Sequence, residues 1–202
     1  SIRIAIARDE AFNFYYKENI ELLEQIGQVT YFSPLKDEKL PDNLDFLYIG
    51  GGYPETFAQE LSSNHSLLKD IKEQLNQGLR CYAESGGFLY LTSGNGEYPM
   101  VGFFEGEFHL TKGLQNFGYA RLTVCQDNPV LPKGLKINCQ QFHRSTVTLK
   151  DPMIYCMKKD QYLGSEKSWT CGYQKKNTIG TYAYTHFFGN IEAKIDSKGR
   201  LF

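Results

Sequence analysis

The run Tyr82-Ala83-Glu84-Ser85-Gly86-Gly87 sets a hydroxyl between a short apolar segment and two glycines. A small nucleophile at a strand-to-helix turn is lifted above a sheet edge, and glycines let the backbone turn tightly and approach a substrate. The N–H of Gly86, opening the helix, then points at an oxyanion developing on an attacked carbonyl. The strict G-x-S-x-G pattern is broken, because Ala83 stands where its first glycine would be. Read alone, the segment fits a nucleophile elbow and a plain glycine-rich turn equally well.

A second feature is Gly50-Gly51-Gly52-Tyr53-Pro54-Glu55, at the end of the apolar run Asp45–Ile49. Glycines at a strand's carboxyl end permit close backbone approach to a ligand, where open α/β sheets bind. No G-x-x-x-x-G-K-[ST] phosphate loop occurs in the chain. A glycine loop beside an elbow supplies two backbone donors to one oxygen, so together they indicate acyl transfer. Such chemistry needs a base, and four histidines are available: His65, His109, His143 and His186. His65 opens a polar helix and is expected to be solvated, and His109 lies in a β-rich stretch without a neighbouring signal. His143 and His186 both follow plausible strands, and residue type does not choose between them.

The elements that must hold these residues read as follows. Ile2–Ala7, Val29–Phe32, Asp45–Ile49 and Arg80–Ala83 are short apolar strands. Glu18–Ile26 has helical periodicity with Gly27 as its C-cap, and Leu67–Leu75 is amphipathic and ends at Gly78. Alternation of this kind predicts a parallel-centred sheet with helices on both faces. Beyond about residue 95, aromatic and β-branched runs (Tyr119–Val124, Met153–Met157, Trp169–Tyr173, Thr181–Thr185) alternate with turns. Lys175-Lys176-Asn177 reads as a hairpin tip, so the second half is expected to be antiparallel and folded onto the same sheet. No linker or repeat divides the 202 residues, and one domain is expected over 1–202.

Composition narrows the classes. Twenty-two Lys and Arg against 23 Asp and Glu leave a formal net charge of −1, with no footprint for nucleic acid or an anionic membrane. No apolar run reaches the roughly 20 residues of a membrane helix. Five scattered cysteines without a C-x-x-C pair read as reduced, structural thiols of a cytoplasmic protein, and no metal site is expected. The chain opens directly on a core strand, as a fragment of a longer polypeptide would.

Taken in order, several runs resemble one family. They are Arg3-Ile4-Ala5-Ile6-Ala7-Arg8-Asp9-Glu10-Ala11-Phe12, Phe32-Ser33-Pro34-Leu35, Gly50-Gly51-Gly52-Tyr53-Pro54-Glu55, Tyr82-Ala83-Glu84 with Gly86-Gly87, Tyr98-Pro99-Met100-Val101-Gly102, Gly118-Tyr119, Phe142-His143 and Tyr184-Thr185-His186. The chain resembles, over nearly its whole length, the glutaminase domains of cobyrinic acid a,c-diamide synthases, which are class I (triad-type) glutamine amidotransferases. The resemblance implies a flavodoxin-like fold and hydrolysis of glutamine. The ammonia released would serve amidation of the a and c carboxylates of cobyrinic acid in cobalamin biosynthesis. It also implies a partner, an amino-terminal synthetase domain that holds ATP and Mg and is absent from this chain; no cofactor is expected in the glutaminase domain itself.

The family carries cysteine where this chain has Ser85. A thiol ionises near pH 8.5 and forms a thiolate beside a histidine, whereas an alcohol must lose its proton during attack. Natural or introduced, Ser85 is therefore expected to leave the domain inactive or weak. The resemblance assigns the base to His186. The position two residues on, acidic in many class I enzymes, is Phe188, which implies a dyad. Gly51, Gly52 and Gly86 are expected to form the oxyanion and substrate subsite, with Glu84 orienting the nucleophile or touching substrate. Arg8, Asp9 and His143 fall in family motifs, with a structural or interface role equally open. Two other classes remain: a glutamine-binding or synthetase-docking module without turnover, and a Ser–His hydrolase.

Overall fold

A computed structural model of the chain describes residues 1–160 and 164–186. Its first half follows the apolar periodicity. Ile2–Ala7 (β1), Gly27–Phe32 (β3), Phe46–Ile49 (β4) and Arg80–Glu84 (β6) are strands. The short Phe12–Phe14 (β2) and Gly51–Gly52 (β5) pair with each other in a separate two-stranded ribbon. Lys17–Ile26 (α1) joins β1 to β3, and Ala58–Ser63 (α2) and His65–Asn76 (α3) lead from β4 and β5 to β6. Gly86–Leu91 (α4) follows β6 and is buried throughout. The second half contributes Phe108–Val124 (β7), Lys136–Val147 (β8), Met153–Asp160 (β9), Glu166–Lys175 (β10), Thr178–Thr181 (β11) and Tyr184–Thr185 (β12).

Among the described residues, ten strands form one sheet in the order β12-β8-β7-β9-β10-β11-β6-β4-β1-β3. The block β3-β1-β4-β6-β11 is parallel, and from β11 outward every pairing is antiparallel. The path from β1 to β3 runs one way along the sheet and the path from β4 to β6 runs the other way. Right-handed crossovers then set α1 on one face and α2–α3 on the other. The reversal lies between β1 and β4, so the crevice opens at the carboxyl ends of these strands, where the glycine loop begins. The core along this sheet is apolar and closed: Ile4, Ile6, Phe46, Leu47, Tyr82, Phe88 and Ile179 are essentially inaccessible.

Two expectations change and a third holds with a difference. Gly27 is the C-cap of α1, as expected, its N–H donating to the Leu23 carbonyl, but its backbone is extended and starts β3. A side chain there would meet the Ile2 carbonyl oxygen at 2.6 Å and Ile4 Cδ1 at 2.7 Å, so glycine serves close strand packing. The expected strand Thr181–Thr185 is broken at Tyr182-Ala183: β11 pairs parallel with β6, then the chain crosses to pair β12 with β8. Finally, the thiols are not all reduced. Cys125 and Cys156 form a disulfide across a Cα separation of 5.9 Å, while Cys81, Cys139 and Cys171 are free and buried.

Candidate active site

Ser85 directly follows β6 and is the N-cap of α4, with φ 50° and ψ −110°, outside the regions a side chain ordinarily adopts. Such a conformation costs of order 1–3 kcal/mol and persists only where its surroundings fix it. Here the Ser85 N–H donates to the Thr181 carbonyl at 2.7 Å and its own carbonyl accepts from Leu89 N at 3.0 Å. Strain of this kind separates an elbow from a plain turn. Gly87 completes it, because any Cβ there would collide with the Ile49 carbonyl, allowing α4 to dock on the end of β4.

The serine faces a cavity of about 290 Å³, the small end of the range for ligand sites. Gly52 and Gly86 line it together; a Cβ on Gly86 would fall 2.8 Å from the Gly52 carbonyl oxygen and 2.9 Å from Gly52 N. The glycine loop and the elbow therefore meet at one point, as their sequence pattern implies. Phe14, Phe142 and Tyr184 form an aromatic wall, with Tyr184 ring centroids 4.7 Å from Phe14 and 4.9 Å from Phe142. Burial pushes the Tyr184 hydroxyl up, and a hydrogen bond with the Ser85 side chain draws it partly back. Glu55 adds a half-buried carboxyl, raised by desolvation.

His143 also lines the cavity. Its ring stacks on Tyr182 at 3.6 Å, and Nδ1 donates to the Ser145 carbonyl at 2.9 Å. A carbonyl only accepts, so the proton sits on Nδ1 and Nε2 keeps its lone pair. Burial pushes this imidazole down to about 4, against the opposing effect of the Ser145 bond. A ring so hard to protonate is a poor general base near neutrality and a good fixed acceptor. Strand pairing on β8 creates this environment, and the motif Phe142-His143 was its only trace in the sequence.

Other expected residues sit elsewhere. His186 stacks on Tyr16 at 3.8 Å and borders a separate concavity with Tyr119, Asn138 and Cys139. Among the described residues no hydrogen bond joins it to Ser85; Tyr184, two residues earlier, occupies that place. Phe188 lies outside the described residues. Gly51 is not in the cavity lining, because the Tyr184 hydroxyl rests where its side chain would be. Glu84 does not touch the cavity either. It is 1% exposed and is held by Thr185 and Tyr48, and burial raises its carboxyl to about 7. Asp9 is structural: its two oxygens accept from Ala11 N, Phe12 N, Ser33 Oγ and Leu35 N. Arg8 lies over the Tyr31 ring, and His65 and His109 are exposed.

A strained elbow, two glycine backbones and an aromatic-walled cavity suit attack on a small carbonyl compound. The family model for the CobB/CobQ-like glutamine amidotransferase domain matches residues 3–191. The chain belongs to that family. Cobyrinate a,c-diamide synthases from Clostridium acetobutylicum and Clostridium tetani are each 57% identical to it, over 192 and 196 residues. The match takes in 95% of this chain in both cases but only 44% and 45% of those proteins. The chain thus spans less than half the length of these relatives. Among solved structures, PurLQS from Thermotoga maritima superposes with a TM-score of 0.63 at 17% identity, covering 91% of this chain and 87% of that one. A glutamine amidotransferase from the same organism gives 0.60 at 14%, covering 91% and 75%. At such identities these two establish a shared fold.

Proposed function

We propose that this glutamine amidotransferase domain cleaves the side-chain amide of glutamine at position 85 and passes the ammonia to a synthetase half. That half would use ATP and Mg to activate the a and c carboxylates of cobyrinate, in the cytoplasm. The observation that carries the reading is Ser85 held at φ 50° over a cavity lined by Gly52 and Gly86. The nucleophilic oxygen adds to the amide carbon as its proton passes to a base, which then hands it to the leaving amine, and the oxyanion faces the Gly52–Gly86 backbone. The amine then takes a proton and leaves as ammonia, water attacks the resulting ester, and glutamate is released.

Ser85 makes the first step slow. Its hydroxyl has the Tyr184 phenol as neighbour, a group that burial makes harder still to ionise, and an unactivated alcohol attacks far less readily than a thiolate. His186 is our candidate base. It directly follows Thr185, and its ring must leave Tyr16 before reaching position 85. A site shaped for sulfur also holds the shorter oxygen back, and misplacement by about 1 Å costs on the order of a hundredfold. The chain as it stands is thus a glutamine-binding domain with residual turnover. Combining it with a synthetase half, ATP, Mg and cobyrinate tests the assignment: amide formation should follow added ammonia readily, and glutamine slowly until Ser85→Cys is made. Cleavage of a p-nitrophenyl ester in preference to glutamine, unchanged by Ser85→Cys, would favour a serine hydrolase instead.

A further inference from the structure

The residue before the nucleophile has a carboxylate with no cavity to face. In a strand, side chains alternate, and the Glu84 side chain crosses toward β12 rather than entering the site. Its Oε1 accepts from Thr185 N at 3.0 Å and from Thr185 Oγ1 at 2.7 Å, and Oε2 accepts from the Tyr48 hydroxyl at 2.8 Å. On the other side, Asn19 Nδ2 donates to the Thr185 carbonyl at 2.9 Å. All the polar groups of Thr185 are therefore occupied by partners from β6 and α1.

That concentration has a mechanical reason. β12 is two residues long and, among the described residues, pairs only with β8, through Tyr184↔Gln140 and Thr185↔Cys139. Two residues of ladder are too little to fix the end of a strand. A buried carboxylate is costly, and among the described residues the one here is held by two hydroxyls and one backbone N–H, with no cation among its hydrogen-bond partners. Such a group is retained where geometry depends on it.

We propose that Glu84 is a positioning residue: by clamping Thr185 it fixes the end of β12, from which Tyr184 meets Ser85 and His186 emerges. Where many class I enzymes orient the histidine with an acid two positions later, this chain has Phe188, and the acid preceding the nucleophile takes over the task through the strand. The inference rests on the glutaminase reading of position 85.

The test uses the chain carrying Ser85→Cys as reference and adds Glu84→Leu, Glu84→Gln, Thr185→Val and Thr185→Ser. Glutamine in Glu84→Gln keeps an acceptor oxygen for Thr185, and Thr185→Ser keeps both donors. Glu84→Leu and Thr185→Val should lower kcat for glutamine hydrolysis by about tenfold or more, with KM moving less than about twofold. Alkylation of Cys at position 85 by a glutamine-mimicking electrophile should slow in parallel. Glu84→Gln and Thr185→Ser should stay near the reference. Equal kcat in all five proteins, or losses that merely track the folded fraction by circular dichroism, would overturn the role. If Glu84→Leu does not fold, the Thr185→Val and Thr185→Ser pair decides alone. A reference protein that releases no ammonia, with the synthetase half also supplied, overturns the functional reading and this inference with it, whereas an active reference matched by every variant overturns only the clamp.

Discussion

Replacing His143 with glutamine should change how the protein's stability responds to acid. An unfolded histidine protonates near 6.5, while in the fold burial against Tyr182 pushes the ring down to about 4. A folded affinity below the unfolded one means that stability is fully present above pH 6.5 and is lost as pH falls toward 4, because only the unfolded chain takes up the proton. Each tenfold in proton affinity corresponds to about 1.4 kcal/mol, so the full displacement amounts to about 3 kcal/mol, reduced to about 2 by solvent at the ring's open edge. Urea unfolding of both proteins at pH 7, 5.5 and 4.5 reads this directly. His143→Gln should lose less stability on acidification, by about 2 kcal/mol between the ends of that range. Nitrogen-detected NMR should in turn find the His143 ring neutral at pH 5.5 with its proton on Nδ1. Parallel acid profiles, or a ring titrating near 6.5, would refute the buried-acceptor assignment.

Two stability predictions follow from the elbow. Gly87→Ala sets a methyl against the Ile49 and Gly50 carbonyl oxygens, both backbone, and should lower stability by about 1–3 kcal/mol with a corresponding fall in Tm. Ser85→Gly should do the reverse: releasing φ 50° relieves strain worth about 1–3 kcal/mol, offset by about 0.5–1 kcal/mol of chain entropy, so Tm rises while glutamine turnover disappears.

The parallel half was legible because its inner strands β1, β4 and β6 are apolar runs buried along most of their length, so Ile2–Ala7 and Asp45–Ile49 could be bounded within a residue or so. The elbow was legible for a similar reason, since paired glycines beside a nucleophile leave few alternatives. What the pattern missed depends on distant partners. Phe12–Phe14 and Gly51–Gly52 are too short to show a period and exist only because they pair with each other. Of β7 only Tyr119–Val124 was bounded as a strand; its first part lacks a clean alternation, with Leu110, Leu114 and Phe117 exposed and its register to β8 shifted twice between Leu110 and Gly118. Neither the break at Tyr182-Ala183 nor the direction of the Glu84 side chain has a local signature. Both follow from β11 joining β6 while β12 joins β8, and that exchange also gives Tyr184 rather than His186 the place beside Ser85.

Ammonia release from glutamine by this chain and by its Ser85→Cys variant tests the central claim most directly. The oxyanion donors and the cavity are the same in both proteins, so glutamine should bind about equally. Turnover should rise by about two to four orders of magnitude with the thiol, in line with restoring an activated nucleophile to a competent site. His186→Ala in that background should take most of the gain away. No increase in ammonia release, with the synthetase half also supplied, would contradict position 85 as the nucleophile of a glutaminase.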